Sequence, residues 1–140
     1  MPTPSLKTED IKDELRAVGL RATGSRVAVL RCVRQVTRPV ALADVVELLG
    51  AEGPDRATVY RNLSDLADVG LLRRAHLGDA WRFEEGDEAE HAHFVCTRCG
   101  TVDCAPEVTL KVSSTGKKTP HALEDGQFQV QLHGLCDECK

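Results

Sequence analysis

The 140-residue sequence predicts an α+β fold in two parts, an N-terminal winged helix-turn-helix and a small second half closed by paired cysteines. Three observations carry that expectation. Four amphipathic helical stretches follow one another as far as Gly70. The hydrophobic pattern then changes from helical to alternating across LLRRAHL, a Gly-Asp turn and AWRFE, which is a hairpin signature. Two CxxC pairs, Cys96/Cys99 and Cys136/Cys139, frame the last part of the chain.

Each element has its own warrant. TEDIKDELRAVG offers Thr8 as N-cap, Ile11, Leu15 and Val18 at helical spacing, and Gly19 as a stop. In SRVAVLRCVRQV, Val29, Cys32, Val33 and Val36 fall on one face, with Arg31, Arg34 and Arg38 opposite. ALADVVELLG makes a third helix closed by Gly50. In DRATVYRNLSDLADVG, Asp55 is the expected N-cap and Gly70 the C′ residue, and Val59, Leu63 and Leu66 form the buried stripe. The outward residues of its first turns, among them Arg56, Thr58, Tyr60 and Arg61, suit phosphate and groove-edge contacts. Asp65 and Asp68 near its C-terminal end would repel DNA, so the N-terminal end is the expected DNA-facing end. Three helices followed by a helix and a hairpin make a winged helix-turn-helix, whose recognition helix enters the major groove.

The second half begins with GDEAE, an acidic linker, after which HAHFVC and TVDCA read as two strands around CTRCG. VTLKVSSTGKKTPHALEDG starts with strand-like alternation and passes into loop-forming residues, and QFQVQLHGL alternates as a strand before CDEC. The expected domain limits are 1–84 and 85–140.

Composition, at 41% hydrophobic and 29% charged, is that of a soluble globular protein. No apolar run reaches the ~20 residues that span a bilayer, and the polar N-terminus lacks a signal peptide's apolar core, so a cytoplasmic protein with no membrane partner is expected. In a reducing compartment six cysteines read as metal ligands or core thiols. The net charge of −4 hides an asymmetry: residues 1–83 hold 13 basic against 11 acidic side chains, residues 84–140 hold 5 against 11. Between Arg16 and Arg38 there are six arginines and no acid. Such a patch predicts salt-dependent DNA binding.

The two CxxC knuckles together form an all-thiolate set for structural zinc on Cys96, Cys99, Cys136 and Cys139. A second half this small needs such a staple. His91 and His93, two apart on a strand, face the same side and make a platform for a second metal. Glu84 and Asp103 lie near in sequence, and a mixed imidazole–carboxylate set suits Fe(II), Mn(II) or Zn(II), bound more reversibly than by four thiolates. Cys32 reads as a packed thiol. Cys104, on the strand face opposite Asp103, reads as structural, as a redox-sensitive thiol, or as a sulfur ligand to the second metal.

DRATVYRNL, a hairpin ending in RFE, then HAHFVCTRCG and GLCDEC in that order resemble the ferric uptake regulator family of bacterial metal-responsive repressors, over roughly residues 8–139. The resemblance implies a winged-helix DNA-binding domain, a small α/β dimerisation domain stabilised by zinc, a homodimer, and a palindromic operator. It implies a regulatory metal between the domains on Glu84, His91 and His93, with Asp103 a looser match and His76 a local substitute. It places Tyr60 and Arg61 toward DNA and Arg21 and Arg26 on its backbone. Iron and peroxide sensors of the family supply a further histidine where this chain has Arg38-Pro39-Val40.

The implied function is a metal-dependent repressor of metal-homeostasis or oxidative-stress genes, with structural Zn(II) and a second divalent ion, Fe(II), Zn(II) or Mn(II), as co-repressor. Ligand histidines must be neutral, so DNA affinity at fixed metal is expected to fall as pH drops through about 6. Two rivals stand beside this reading. One is a zinc-stabilised winged-helix protein that binds DNA without a regulatory metal. The other is a zinc hydrolase or deaminase, which HAHF disfavours because it lacks the poised Glu of the H-x-E pattern.

Overall fold

Ile11 and Leu15, one turn apart and wholly buried, set the inner face of the first helix, α1 (Thr8–Ala17). The computed structural model describes residues 4–86, 91–109, 111, 113, 116, 118–124 and 129–140. Thr8 does not cap α1, contrary to expectation: the N-cap is Lys7, with no side-chain bond, and the Thr8 hydroxyl instead accepts from Arg31. Ser5 organises the entry, accepting from the Lys7 N–H at 3.1 Å and donating to Asp10 at 2.7 Å.

The second helix, α2 (Gly24–Gln35), starts at Thr23, whose hydroxyl accepts from the Arg26 N–H at 3.3 Å. Its core face is Val27, Val29, Leu30, Cys32 and Val33, while Val36 ends the helix half-buried. A two-residue strand that the sequence pattern does not announce, β1 (Val40–Ala41), leads into α3 (Leu42–Leu49). Asp44 ties that start, its carboxylate accepting from the Ala41 N–H at 2.9 Å.

Helix α4 (Arg56–Asp68) follows the expected pattern at both ends. Asp55 accepts from the Thr58 N–H at 3.1 Å, and Gly70 takes the left-handed conformation at φ 84° that an L side chain avoids. Val59, Leu63 and Leu66 are wholly buried. The hairpin pairs β2 (Leu72–Leu77) with β3 (Ala80–Glu85), from Leu72 opposite Glu85 to Leu77 opposite Ala80. Only the first of its two turn residues, Gly78, has positive φ (67°), which is the II′ pattern. Strand β1 adds to the outer edge of β3, giving the order β1-β3-β2. At the exit, a Cβ on Gly86 would sit 2.2 Å from the Gly70 carbonyl oxygen, so only glycine allows this closure.

The core of this unit, Met1–Glu88, gathers Ile11, Leu15, Leu30, Val45, Leu63, Leu66 and Phe83 from all four helices and the hairpin. Each such burial contributes roughly 1.5–3 kcal/mol.

The second unit, Ala89–Lys140, is built on β4 (Ala92–Cys96), paired antiparallel with β5 (Val102–Ala105) and parallel with β6 (Gln131–Gly134). Both expected strands around CTRCG are present. The strand expected over QFQVQLHGL is shorter, starting at Gln131, and residues 125–128 before it lie outside the described residues. The alternation at 108–113 forms no strand among the described residues, and a one-turn helix, α5 (His121–Glu124), follows where the sequence offers only loop signals. Buried apolar side chains among the described residues of this unit are only Ala92, Val95, Cys96 and Val102.

Candidate metal centres and nucleic-acid interface

The first cluster is assembled by two tight turns. After β4 the chain folds back so that the Gly100 N–H donates to the Cys96 carbonyl at 3.0 Å, and after β6 the Cys139 N–H donates to that of Cys136 at 3.1 Å. Parallel pairing of β4 with β6 sets Cys96 opposite Gly134, which brings the two knuckles together. The Sγ atoms of Cys96, Cys99, Cys136 and Cys139 lie within 4.8 Å of one another, with Cys99 and Cys136 at 3.7 Å. A tetrahedron with Zn–S of ~2.3 Å has edges of about 3.8 Å. The geometry fits zinc. Arg98 braces the pair by donating to the Cys139 carbonyl at 2.9 Å.

Backbone donors prepare the sulfurs for a cation. Hydrogen bonds from the N–H groups of Cys99, at 3.5 Å, and Cys136, at 3.4 Å, pull the Cys96 thiol down to about 5. The Thr101 hydroxyl, 3.1 Å away, lowers Cys99 as well. Cys139 moves the other way, up to about 12, because it hydrogen-bonds to the Cys136 sulfur.

The second cluster lies further back along β4. His91 and His93 have ring centroids 4.5 Å apart, and His93 is buried. The ligand atoms of His91, His93 and Cys104 all lie within 4.8 Å of one another. Asp103, expected as a ligand, is not in this group: it pairs with Phe94, whereas Cys104 pairs with His93, so alternation sends Asp103 to the opposite face, where it is exposed. His76, the other expected contributor, sits exposed on β2 with its ring edge-on to Trp81 at 5.3 Å, in no group of three ligand-type side chains among the described residues. Glu84 is buried on β3, 3.5 Å from Arg73 of the facing strand.

On α4, Arg56, Ala57, Tyr60 and Arg61 are exposed at the N-terminal half, and Thr58 is half-buried. Arg21 is exposed too. Arg26 departs from expectation: its guanidinium donates to Asp65 at 2.9 Å and to the Arg21 carbonyl at 3.0 Å. Arg34 departs further. Its side chain is 2% exposed, donating to Glu85 at 2.9 Å and to Glu14 at 3.1 Å. Burial alone would lower its pKa, but the bonds to Glu14 and Glu85 raise it above the usual guanidinium value. Arg26 and Arg34 therefore hold the fold together rather than forming an outer patch, and Arg31 donates at the surface to the Leu6 carbonyl at 3.0 Å.

An open pocket of about 630 Å³ lies among α4, the start of α3 and the hairpin, with Arg56, Tyr60, Arg74 and Trp81 on its walls. Alternation in AWRFE groups Trp81 with buried Phe83, which conceals that Trp81 is 59% exposed.

Comparison with known proteins agrees with this arrangement. The profile of the Ferric uptake regulator family matches residues 17–135. The chain is 32% identical to the ferric uptake regulation protein of Bordetella parapertussis over 135 residues, covering 92% of this chain and 96% of the relative. It superposes on the ferric uptake regulator of Pseudomonas aeruginosa solved with manganese at a TM-score of 0.63, with 25% identity, covering 90% and 97% of the two chains. A zinc uptake regulator complexed with zinc and DNA shares the fold at a TM-score of 0.59 and 20% identity, over 94% and 91%. Among the described residues no helix is long and apolar enough to cross a membrane. The chain belongs to the ferric uptake regulator family, whose members are metal-responsive, DNA-binding transcription regulators and not enzymes.

Proposed function

We propose that this protein is a metal-gated repressor in which residues 1–84 bind a palindromic operator and residues 85–140 dimerise and hold metal. The observation that carries the reading is the pair of histidines at the start of β4, His91 just before it and His93 within it, in a ligand group distinct from the four-cysteine set. Cys96, Cys99, Cys136 and Cys139 hold structural zinc, and His91 and His93 hold an exchangeable ion with Glu84.

Glu84 lies one residue before the end of β3 in the first unit, and His91 and His93 stand at the start of β4 in the second. An ion on His91 and His93 would order the second unit, which pairs the two chains, and so reduce the ordering cost of setting two recognition helices on one operator. Arg56, Thr58, Tyr60 and Arg61 face the groove, Arg21 the backbone.

The test is binding of the zinc-loaded dimer to a palindromic operator with and without added divalent metal. A rise of about tenfold or more, roughly 1.4 kcal/mol, that disappears in H91A/H93A supports the reading. Equal binding with and without metal would overturn it. That result would favour the rival of a constitutive DNA binder, to which Pro39, at the position of the sensors' histidine, lends its support.

A further inference from the structure

We propose that the exchangeable ion is zinc, because the Cys104 sulfur converges with the imidazoles of His91 and His93 on one point of the second unit. The inference rests on the reading of His91 and His93 as regulatory ligands and adds the identity of their ion. All three ligand atoms lie within 4.8 Å of one another. The register fixes this: Cys104 faces His93 directly across the antiparallel pair, and His91 lies two residues before His93, on the same side of the chain. Ligands of a four-coordinate zinc with Zn–N of ~2.0 Å and Zn–S of ~2.3 Å stand roughly 3.3–3.8 Å apart. The observed spread needs only a small contraction.

The donor types decide the metal. Carboxylate oxygen, as from Glu84 in the proposed set, suits Mn(II), imidazole serves several first-row ions, and the Cys104 thiolate shifts the balance toward soft or borderline ions. The one nearby carboxylate on β5, Asp103, points to the opposite face of the sheet, so β5 contributes sulfur and not oxygen. For the same site Zn(II) also outranks Mn(II) and Fe(II) in intrinsic affinity. The two effects act in the same direction. Cys104 is half-buried and His93 buried, which limits water around the sulfur. Cys104 is no part of the four-cysteine cluster, whose members are Cys96, Cys99, Cys136 and Cys139.

The experiment uses full-length protein carrying one zinc per chain, without oxygen and with thiols reduced. It is titrated with Co(II), and then in competition with Zn(II), Fe(II) and Mn(II). The expected result is one further Co(II) per chain with a thiolate-to-cobalt charge-transfer band. C104S should keep a second, weaker Co(II) without that band, and H91A/H93A should lose it. Zinc should be preferred over Fe(II) and Mn(II) by about 100-fold or more. C104S should cut that preference at least about tenfold, and C104E should move it toward Fe(II) and Mn(II).

A second ion bound with the same band and the same preference in wild type and C104S would overturn the role of Cys104 while leaving the sensor reading intact. Absence of any second ion in the wild type would overturn both. Circular dichroism and retention of the first zinc in C104S and C104E separate ligand loss from misfolding.

Discussion

Arg34 on α2 and Glu85 at the end of β3 meet at 2.9 Å, with side chains only 2% and 7% exposed. This pair joins the first helices to the last strand of the unit, and Glu14 of α1 completes it. Removing the cation takes the charged partner away from a buried carboxylate, which costs about 3–5 kcal/mol. R34A is therefore expected to lower urea stability by that amount. Replacement of an exposed arginine such as Arg38 should change it by less than ~0.5 kcal/mol. Equal effects of the two would show that the pair does not hold the fold.

Arg26 and Arg61 should separate in the same way, between stability and DNA. Arg61 is exposed on the N-terminal half of α4, whereas Arg26 spends its guanidinium on Asp65 and the Arg21 carbonyl. R61A should weaken operator binding and reduce the slope of log affinity against log salt by about 0.9, the loss of one phosphate contact. R26A should lower thermal stability first. A full salt slope in R61A would remove Arg61 from the phosphate contacts.

These two cases show what the chain's pattern reveals and what it conceals. The helix stripes of α1, α2 and α4, the hairpin and both CxxC turns are local features, and periodicity and spacing suffice to read them. Ion pairs are not local. Glu14, Arg34 and Glu85 are far apart in sequence, so an arginine on the polar side of α2 looks like surface until the partners arrive. The choice between Asp103 and Cys104 depends on which residue of β5 lies opposite His93, a register that neither strand's own alternation specifies. Strand β1, two residues long, is defined only by its pairing with β3.

Asp55 gives the first unit a dependence on acid. The Thr58 hydroxyl and then its N–H hold the Asp55 carboxyl below the usual carboxylate range. A depressed folded-state value means that the stabilisation is complete above the unfolded value of about 3.9 and disappears as pH falls through the lower folded one. D55N, which keeps the acceptor without the charge, should lower the melting temperature near neutrality and flatten its decline below about pH 4. A wild-type-like acid profile in D55N would assign that decline to other carboxylates.

Zinc removal should act on one unit alone. The second unit buries only Ala92, Val95, Cys96 and Val102 as apolar side chains among its described residues, too little to offset the ordering of its chain. Structural zinc binds with an apparent ~10–16 kcal/mol in small domains, and its loss removes folding energy of that order. The first unit has its own core of helices and hairpin and needs no ion. A strong chelator at neutral pH, or the C96S/C136S variant, should therefore abolish hydrogen-exchange protection in β4, β5 and β6 while α2 and α4 stay protected. Acid should do the same, since protons compete for the thiolates, and the high value of about 12 at Cys139 means that zinc must displace its proton even at neutral pH. Proton release on zinc binding, measured by calorimetry in buffers of different ionisation enthalpy, checks that step. Retained protection of β4 in the chelated protein would show that the unit folds on its side chains alone.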